Sequence, residues 1–145
     1  MKKAESLKLS NQICFPIYAL SKEVINLYRP FLNEIDLTYP QYLVMLVLWE
    51  NDGLTVGTIG EKLALDTGTL TPLLKRLEAK DIIQRKRNES DERIVLISLS
   101  EKGKSMQELA CNIPIKMKQN FDLTDEEIES FKNIINKILN SKTSK

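Results

Sequence analysis

Histidine is absent from this chain, and cysteine occurs only twice, at Cys14 and Cys111, 97 positions apart. Without histidine or a close cysteine pair, zinc sites, histidine-dependent triads and thioredoxin-like motifs have no support. A Gly-rich phosphate loop is missing too. No metal, no cofactor and no enzymatic turnover are therefore expected. No apolar run approaches the length of a membrane span, and the opening MKKAESLKLSNQ carries no signal-peptide core. The expected location is the cytoplasm, away from membranes, where both cysteines are by default thiols.

What is present fits one soluble domain of 145 residues, with 42% hydrophobic and 28% charged residues. The formal net charge of +1 says little, but the charges are unevenly placed. Lys75, Arg76, Arg85, Lys86, Arg87 and Arg93 crowd the middle, whereas Asp122, Asp125, Glu126, Glu127 and Glu129 lie far downstream. Local charge sets phosphate attraction.

The segment Leu54–Ser100 reads as helix, turn, helix and hairpin. Thr55 caps a short helix carrying Val56, Ile59 and Leu63. Asp66 or Thr67 caps the next, up to about Lys80, with Leu70, Leu73, Leu74 and Leu77 facing inward. Pro72 is expected to distort its first turn. A short β-prone run, Ile82–Lys86, and an alternating run, Ile94–Leu99, flank the charged turn RNESDER. This is the layout of a winged helix-turn-helix, which lays its second helix in a DNA major groove.

Around it the pattern is helical. A first helix is expected over roughly Asn11–Asn33. Its seam of Ile13, Ile17, Leu20, Val24, Leu27 and Phe31 lies beside a second stripe of Cys14, Tyr18, Ile25, Tyr28 and Leu32. So wide a face suits either an internal core helix or a dimer interface. Pro16 places Cys14 at or just before the helix start. Thr38 and Gln41 match a capping box ahead of a very apolar helix, as do Thr124 and Glu127 ahead of the last one. Between them, Ser100 caps a helix carrying Met106, Leu109, Ala110, Ile113 and Met117, bent at Pro114. The ends, up to about Lys8 and after Asn140, are expected to fray. The fold expected is mainly α with a small β-hairpin wing. It is divided as a winged-helix lobe over 37–100 and dimerisation helices over 9–36 and 101–141.

Thr67, Thr69, Thr71, Lys75 and Arg76 fall on the exposed side or N-terminal end of the second helix. Hydroxyls there suit base edges and phosphates, and the cations suit phosphates. A solvated helix face, with threonines chosen for capping, would look the same. Arg85, Lys86 and Arg87 precede the wing turn. Arg93 follows it and could enter a narrow minor groove with Asp91 holding it. A solvated charge run is the alternative.

These residues carry a family resemblance. LDTGTLTPLLKRLE followed by DERIVLISLS resembles the MarR family of winged-helix transcription regulators. NQICFPIYALSKEVINLYRPFL followed by LTYPQYLVMLVLWE is similar to the organic-hydroperoxide-sensing repressors and related thiol-based redox regulators of that family. The resemblance runs from about Leu9 to Phe121. It implies a homodimer on a pseudo-palindromic double-stranded operator, with Thr67, Thr69, Thr71 and Arg76 at the major groove and Asp91 and Arg93 at the wing tip. It also implies that Cys14 is the redox-sensing thiol, hydrogen-bonded by tyrosines matching Tyr28 and Tyr39 across the dimer, with Tyr18 one turn away. Organic hydroperoxides would be the inducers. Cys111 is a candidate resolving thiol but stands earlier than the resemblance leads one to expect, which favours one sensing cysteine completed by a low-molecular-weight thiol. Pro16 departs from the family pattern. Three rivals stay open: a MarR-type regulator controlled by a small aromatic ligand, a thiol peroxidase, and a winged helix that binds protein only. The lack of a basic residue near Cys14 weighs against the peroxidase.

Overall fold

Helix α2 (Tyr39–Glu50) is the element the rest is built around, and its start is dictated locally. The Thr38 hydroxyl accepts from the Gln41 N–H, and the Gln41 side chain accepts from the Thr38 N–H at 3.0 Å. That closes the expected capping box and explains why Gln41 is a polar residue in the core. Tyr42, Val44, Met45, Val47 and Leu48 are buried around it. The helix touches α1 (Cys14–Asn33), α3 (Val56–Leu63), α4 (Thr67–Ala79) and α5 (Glu101–Ala110). Trp49 Nε1 donates to the Gly103 carbonyl at 2.9 Å, fastening α2 to α5.

The computed structural model describes residues 3–141. The expectation of frayed ends falls partly on residues 1, 2 and 142–145, outside the described residues. Two 3-10 turns, Glu5–Leu7 and Leu9–Asn11, precede α1. So α1 starts at Cys14 and not at Asn11. Pro16 is its third residue, where the missing N–H has no helical acceptor to lose. Pro30, passed over in the sequence, lies inside α1, and the helix still continues to Asn33. Only Leu32 of α1 is buried, which removes the internal-core-helix reading for this chain on its own.

The expected hairpin is part of a three-stranded antiparallel sheet. Strands β1 (Leu54–Thr55), β2 (Ile83–Arg87) and β3 (Val95–Leu99) lie in the order β1-β3-β2, with Leu54 opposite Ile97 and Arg87 opposite Val95. Two residues are too few to show alternation, so β1 left no periodic signal. Asp52 anchors it: one carboxylate oxygen accepts from the Gly53 N–H at 2.9 Å and the Leu99 N–H at 2.8 Å.

The single bent helix expected after Ser100 is instead two. Helix α5 ends at Ala110, and α6 (Ile113–Gln119) begins after Cys111 and Asn112. Pro114 cannot donate to the Ala110 carbonyl, so it ends the first helix and takes the second position of the next. Met106, Ala110, Ile113 and Met117 are buried as expected, but Leu109 is 67% exposed.

Gly103 in α5 is required by packing. A Cβ there would collide with the Ile82 carbonyl oxygen and press on Leu99 Cδ2. Gly103→Ala is expected to destabilise the fold by about 1–3 kcal/mol, the scale of core overpacking. A lowered urea midpoint at unchanged slope checks this.

Contacts divide the chain into two compact units, Met1–Cys111 and Asn112–Lys145. The first holds α1–α5 and the sheet. The second holds α6 and α7 (Asp125–Asn140), whose start is closed by the Thr124–Glu127 capping box. No residue of α7 is buried, and Phe131, Ile134, Ile135, Ile138 and Leu139 form an exposed apolar stripe along it. Among the described residues, no helix is long and apolar enough to cross a membrane.

Candidate nucleic-acid interface and thiol site

The turn between α3 and α4 is set by close approach. Ala64 takes the left-handed conformation with φ 53°, and the Leu65 N–H returns to the Gly60 carbonyl at 3.0 Å. A Cβ on Gly60 would stand 2.8 Å from the Leu65 carbonyl oxygen, so only glycine lets the chain pass. Asp66 then caps α4, its Oδ1 accepting from the Thr69 N–H at 2.7 Å. That bond holds the Asp66 carboxyl below the usual carboxylate range.

Leu70, Leu73, Leu74 and Leu77 are buried, which fixes the outward face of α4. Thr67, Thr69, Lys75 and Arg76 are exposed on it, and Thr71 is half-buried. The helix is continuous through Pro72.

At the wing tip, Arg93 and Asp91 form a two-pronged pair. Nε meets Oδ1 at 3.0 Å, Nη2 meets Oδ2 at 3.1 Å, and the Arg93 N–H also donates to Oδ1. The Arg93 guanidinium lowers the Asp91 pKa, keeping it an acceptor, while 90% of the arginine side chain stays exposed. Asp91 thus holds Arg93 outward. Arg87 Nη1 donates to the Glu92 carbonyl at 2.8 Å, stiffening the turn. Arg85 is exposed on β2, and its Nε pairs with Glu78 Oε2 at 2.9 Å, joining β2 to the end of α4. Lys86 is exposed on β2.

Cys14 is an exposed free thiol at the first residue of α1. Tyr18 is one turn on and exposed, with the Lys22 ammonium 4.6 Å from its ring centre. Tyr28 is on the same helix, and fourteen residues at 1.5 Å each set it about 21 Å from Cys14. The Tyr28 and Tyr39 rings meet at 4.8 Å, with Tyr42 5.6 Å from Tyr28 and Trp49 edge-on to Tyr42. Burial, then Tyr39 and Tyr42, push the Tyr28 pKa up to about 12; burial raises Tyr39 and Tyr42 as well. These phenols hold their protons firmly and are hydrogen-bond donors near neutral pH. Tyr42 and Trp49 extend this cluster within the apolar helix, and the three-residue step from Tyr39 to Tyr42 is its only signal in the sequence.

Cys111 is exposed at the end of α5, its thiol donating to the Glu108 carbonyl at 3.0 Å. Among the described residues no group of three or more His, Cys, Asp or Glu could hold a metal ion.

The family model for transcriptional regulator SarA/Rot matches residues 26–109. The organic hydroperoxide resistance transcriptional regulator of Bacillus subtilis (strain 168) is 54% identical over 112 residues, covering 77% of this chain and 76% of the relative. The HTH-type transcriptional regulator SarZ of Staphylococcus aureus is 41% identical over 137 residues, covering 92% and 93%. Reduced AbfR, a Staphylococcus epidermidis protein solved bound to DNA, superposes with a TM-score of 0.79 at 34% identity, covering 99% of this chain and 98% of that one. AbfR has also been solved overoxidised on DNA and with its disulfide formed.

Proposed function

The chain belongs to the SarA/Rot family of transcriptional regulators, and on that premise we propose that it is a homodimeric DNA-binding repressor. It leaves its operator when Cys14 is oxidised by an organic hydroperoxide. The observation that carries the redox half is a separation. Cys14 and the Tyr28–Tyr39 pair lie about 21 Å apart within one protomer, so the Tyr28 and Tyr39 phenols reach the thiol only from a second copy. The exposed apolar residues of α1, including Ile13, Ile17 and Leu20, and the stripe on α7 supply the surface for that copy. The division is then one MarR-type domain, with residues 37–100 as the DNA-binding lobe and 9–36 and 101–141 as dimerisation helices. The protein works in the cytoplasm.

The chemistry balances with the groups named. The Cys14 thiolate attacks one peroxide oxygen, the O–O bond breaks, and the alcohol leaves with a proton, producing the sulfenic acid. A low-molecular-weight thiol then displaces water and forms a mixed disulfide. Protonated Tyr28 and Tyr39 of the second copy hold the thiolate; the adduct removes that acceptor and adds bulk in the seam. AbfR was solved overoxidised while on DNA, which favours the disulfide over added oxygen as the releasing product. Its disulfide-formed state and the exposed Cys111 favour a second reading, with Cys111 as resolving thiol. In a third reading, control by a small ligand, the cleft of 220 Å³ lined by Ile25, Arg29, Leu32 and Tyr39 would be its place. An equal response of wild type and Cys14→Ala to inducer would select that last reading. No catalytic turnover is proposed: without a reductant, hydroperoxide consumption should stop within about three equivalents per chain, as Cys14 climbs the oxidation ladder.

On DNA, two α4 helices related by the dimer axis would read half-sites about 10 or 20 base pairs apart, with each wing arginine in the adjoining minor groove. Arg93→Ala is expected to weaken operator binding by about 1–3 kcal/mol. Lys75→Ala should weaken all duplexes alike and flatten the salt dependence by about one phosphate contact. Fluorescence anisotropy over a salt series measures both. Unchanged operator affinity in Arg93→Ala would reduce the wing to a solvated hairpin.

A further inference from the structure

Two positions on the outermost line of α4 present little or no side chain. At about 100° per residue, the line opposite the buried Leu70, Leu73, Leu74 and Leu77 is occupied by Gly68, Pro72 and Lys75. Thr67 and Thr71 flank it on one side, Thr69 and Arg76 on the other. Gly68 and Pro72 are both exposed.

Pro72 is the sixth residue of α4, in the interior where proline is least favourable, and Gly68 is the second. Its backbone is not in the left-handed region, and an added Cβ would meet only Asp66 Oδ1 at 3.4 Å. Proline four residues later has a defined consequence. The N–H that would bond to the Gly68 carbonyl does not exist, and the pyrrolidine ring crowds that oxygen. An acceptor short of its helical donor therefore lies on the outermost line of the helix.

We propose that the Gly68 carbonyl is a backbone base-reading group. It accepts a hydrogen bond from the major-groove amine of a cytosine or an adenine, and the missing side chain at Gly68 lets the helix seat deeply enough to make it. Those amines are the only base donors the major groove displays, so an acceptor on this line selects C or A at one position of each half-site. The proposal rests on α4 being the groove-reading helix, as above.

The test uses the full-length reduced dimer on a duplex that the wild type selects from a random-sequence library. One base at a time is replaced by an analogue without its amine, pyrimidin-2-one for cytosine or purine for adenine. At one position per half-site the wild type should lose affinity about three- to tenfold, the worth of one hydrogen bond. Pro72→Ala should melt at a higher temperature, because the helical bond to Gly68 returns. It should bind the unmodified operator more weakly and show no penalty at that position. Gly68→Ala should fold normally yet bind about tenfold more weakly, within the cost of one disrupted base-pair contact. If Pro72→Ala keeps the wild-type affinity and the same penalty at every position while Lys75→Ala and Arg76→Ala still weaken binding, the carbonyl proposal is wrong and the α4 interface stands. If Lys75→Ala and Arg76→Ala leave binding unchanged as well, α4 is not the interface and both fall.

Discussion

Cys14→Ser will bind the operator as tightly as the reduced wild type and will keep it through a hydroperoxide and small-thiol treatment that releases the wild type. A serine hydroxyl is close to the thiol in size and can accept from the same phenols, so the reduced dimer arrangement survives, but it forms neither sulfenic acid nor disulfide. The wild type should lose about 100-fold in affinity, which needs only about 2.7 kcal/mol of differential stability between two dimer arrangements. One or two lost buried hydrogen bonds together with overpacking of the seam by the adduct supply that. Tyr28→Phe and Tyr39→Phe, which remove the donors while keeping the rings packed, should blunt the response. Cys111→Ser should still respond. If Cys111→Ser is the insensitive variant instead, an intersubunit disulfide replaces the mixed one as the releasing step.

Deletion from Thr124 onward will convert the dimer to a monomer at micromolar concentration and abolish operator binding. The deletion removes the whole of α7, whose stripe of Phe131, Ile134, Ile135, Ile138 and Leu139 is exposed among the described residues. One lobe alone contacts one half-site and loses the effective-concentration advantage of the pair, a factor of about 10²–10⁴. Sedimentation and anisotropy read the two effects separately. A truncated chain that stays dimeric would place the interface on the helices before Thr124.

The elements that were legible in the sequence are those whose cause is local. The Thr38–Gln41 and Thr124–Glu127 boxes, the Asp66 cap and the inward leucines of α4 each depend on residues within one or two turns, and each forms as read. The same locality explains the Asp91–Arg93 pair, two residues apart. What was not legible depends on distant partners. β1 exists because Asp52 reaches Leu99 and β3 lies beside it. Arg85 pairs with Glu78, which belongs to another element. The tyrosine cluster joins α1 to α2, which no periodicity within one helix announces. Pro114 was seen, but as a bend; the break it makes depends on Ala110 losing its donor just where α5 could end. The long apolar face of α1 was ambiguous in sequence because periodicity shows that a face must be covered without showing by what. Its exposure in the isolated chain moves the answer to a second copy.

The central claim is that chemistry at Cys14 and release of DNA are one event. The most direct test follows both in one titration: operator affinity by anisotropy, and the Cys14 adduct by intact and peptide mass, as organic hydroperoxide is added with a small thiol present. The predicted result is a loss of about 100-fold in affinity that tracks the fraction of chains carrying a mixed disulfide at Cys14 and reverses when a reductant removes it. Full conversion of Cys14 with the operator still bound, or release of DNA with Cys14 unmodified, would contradict it.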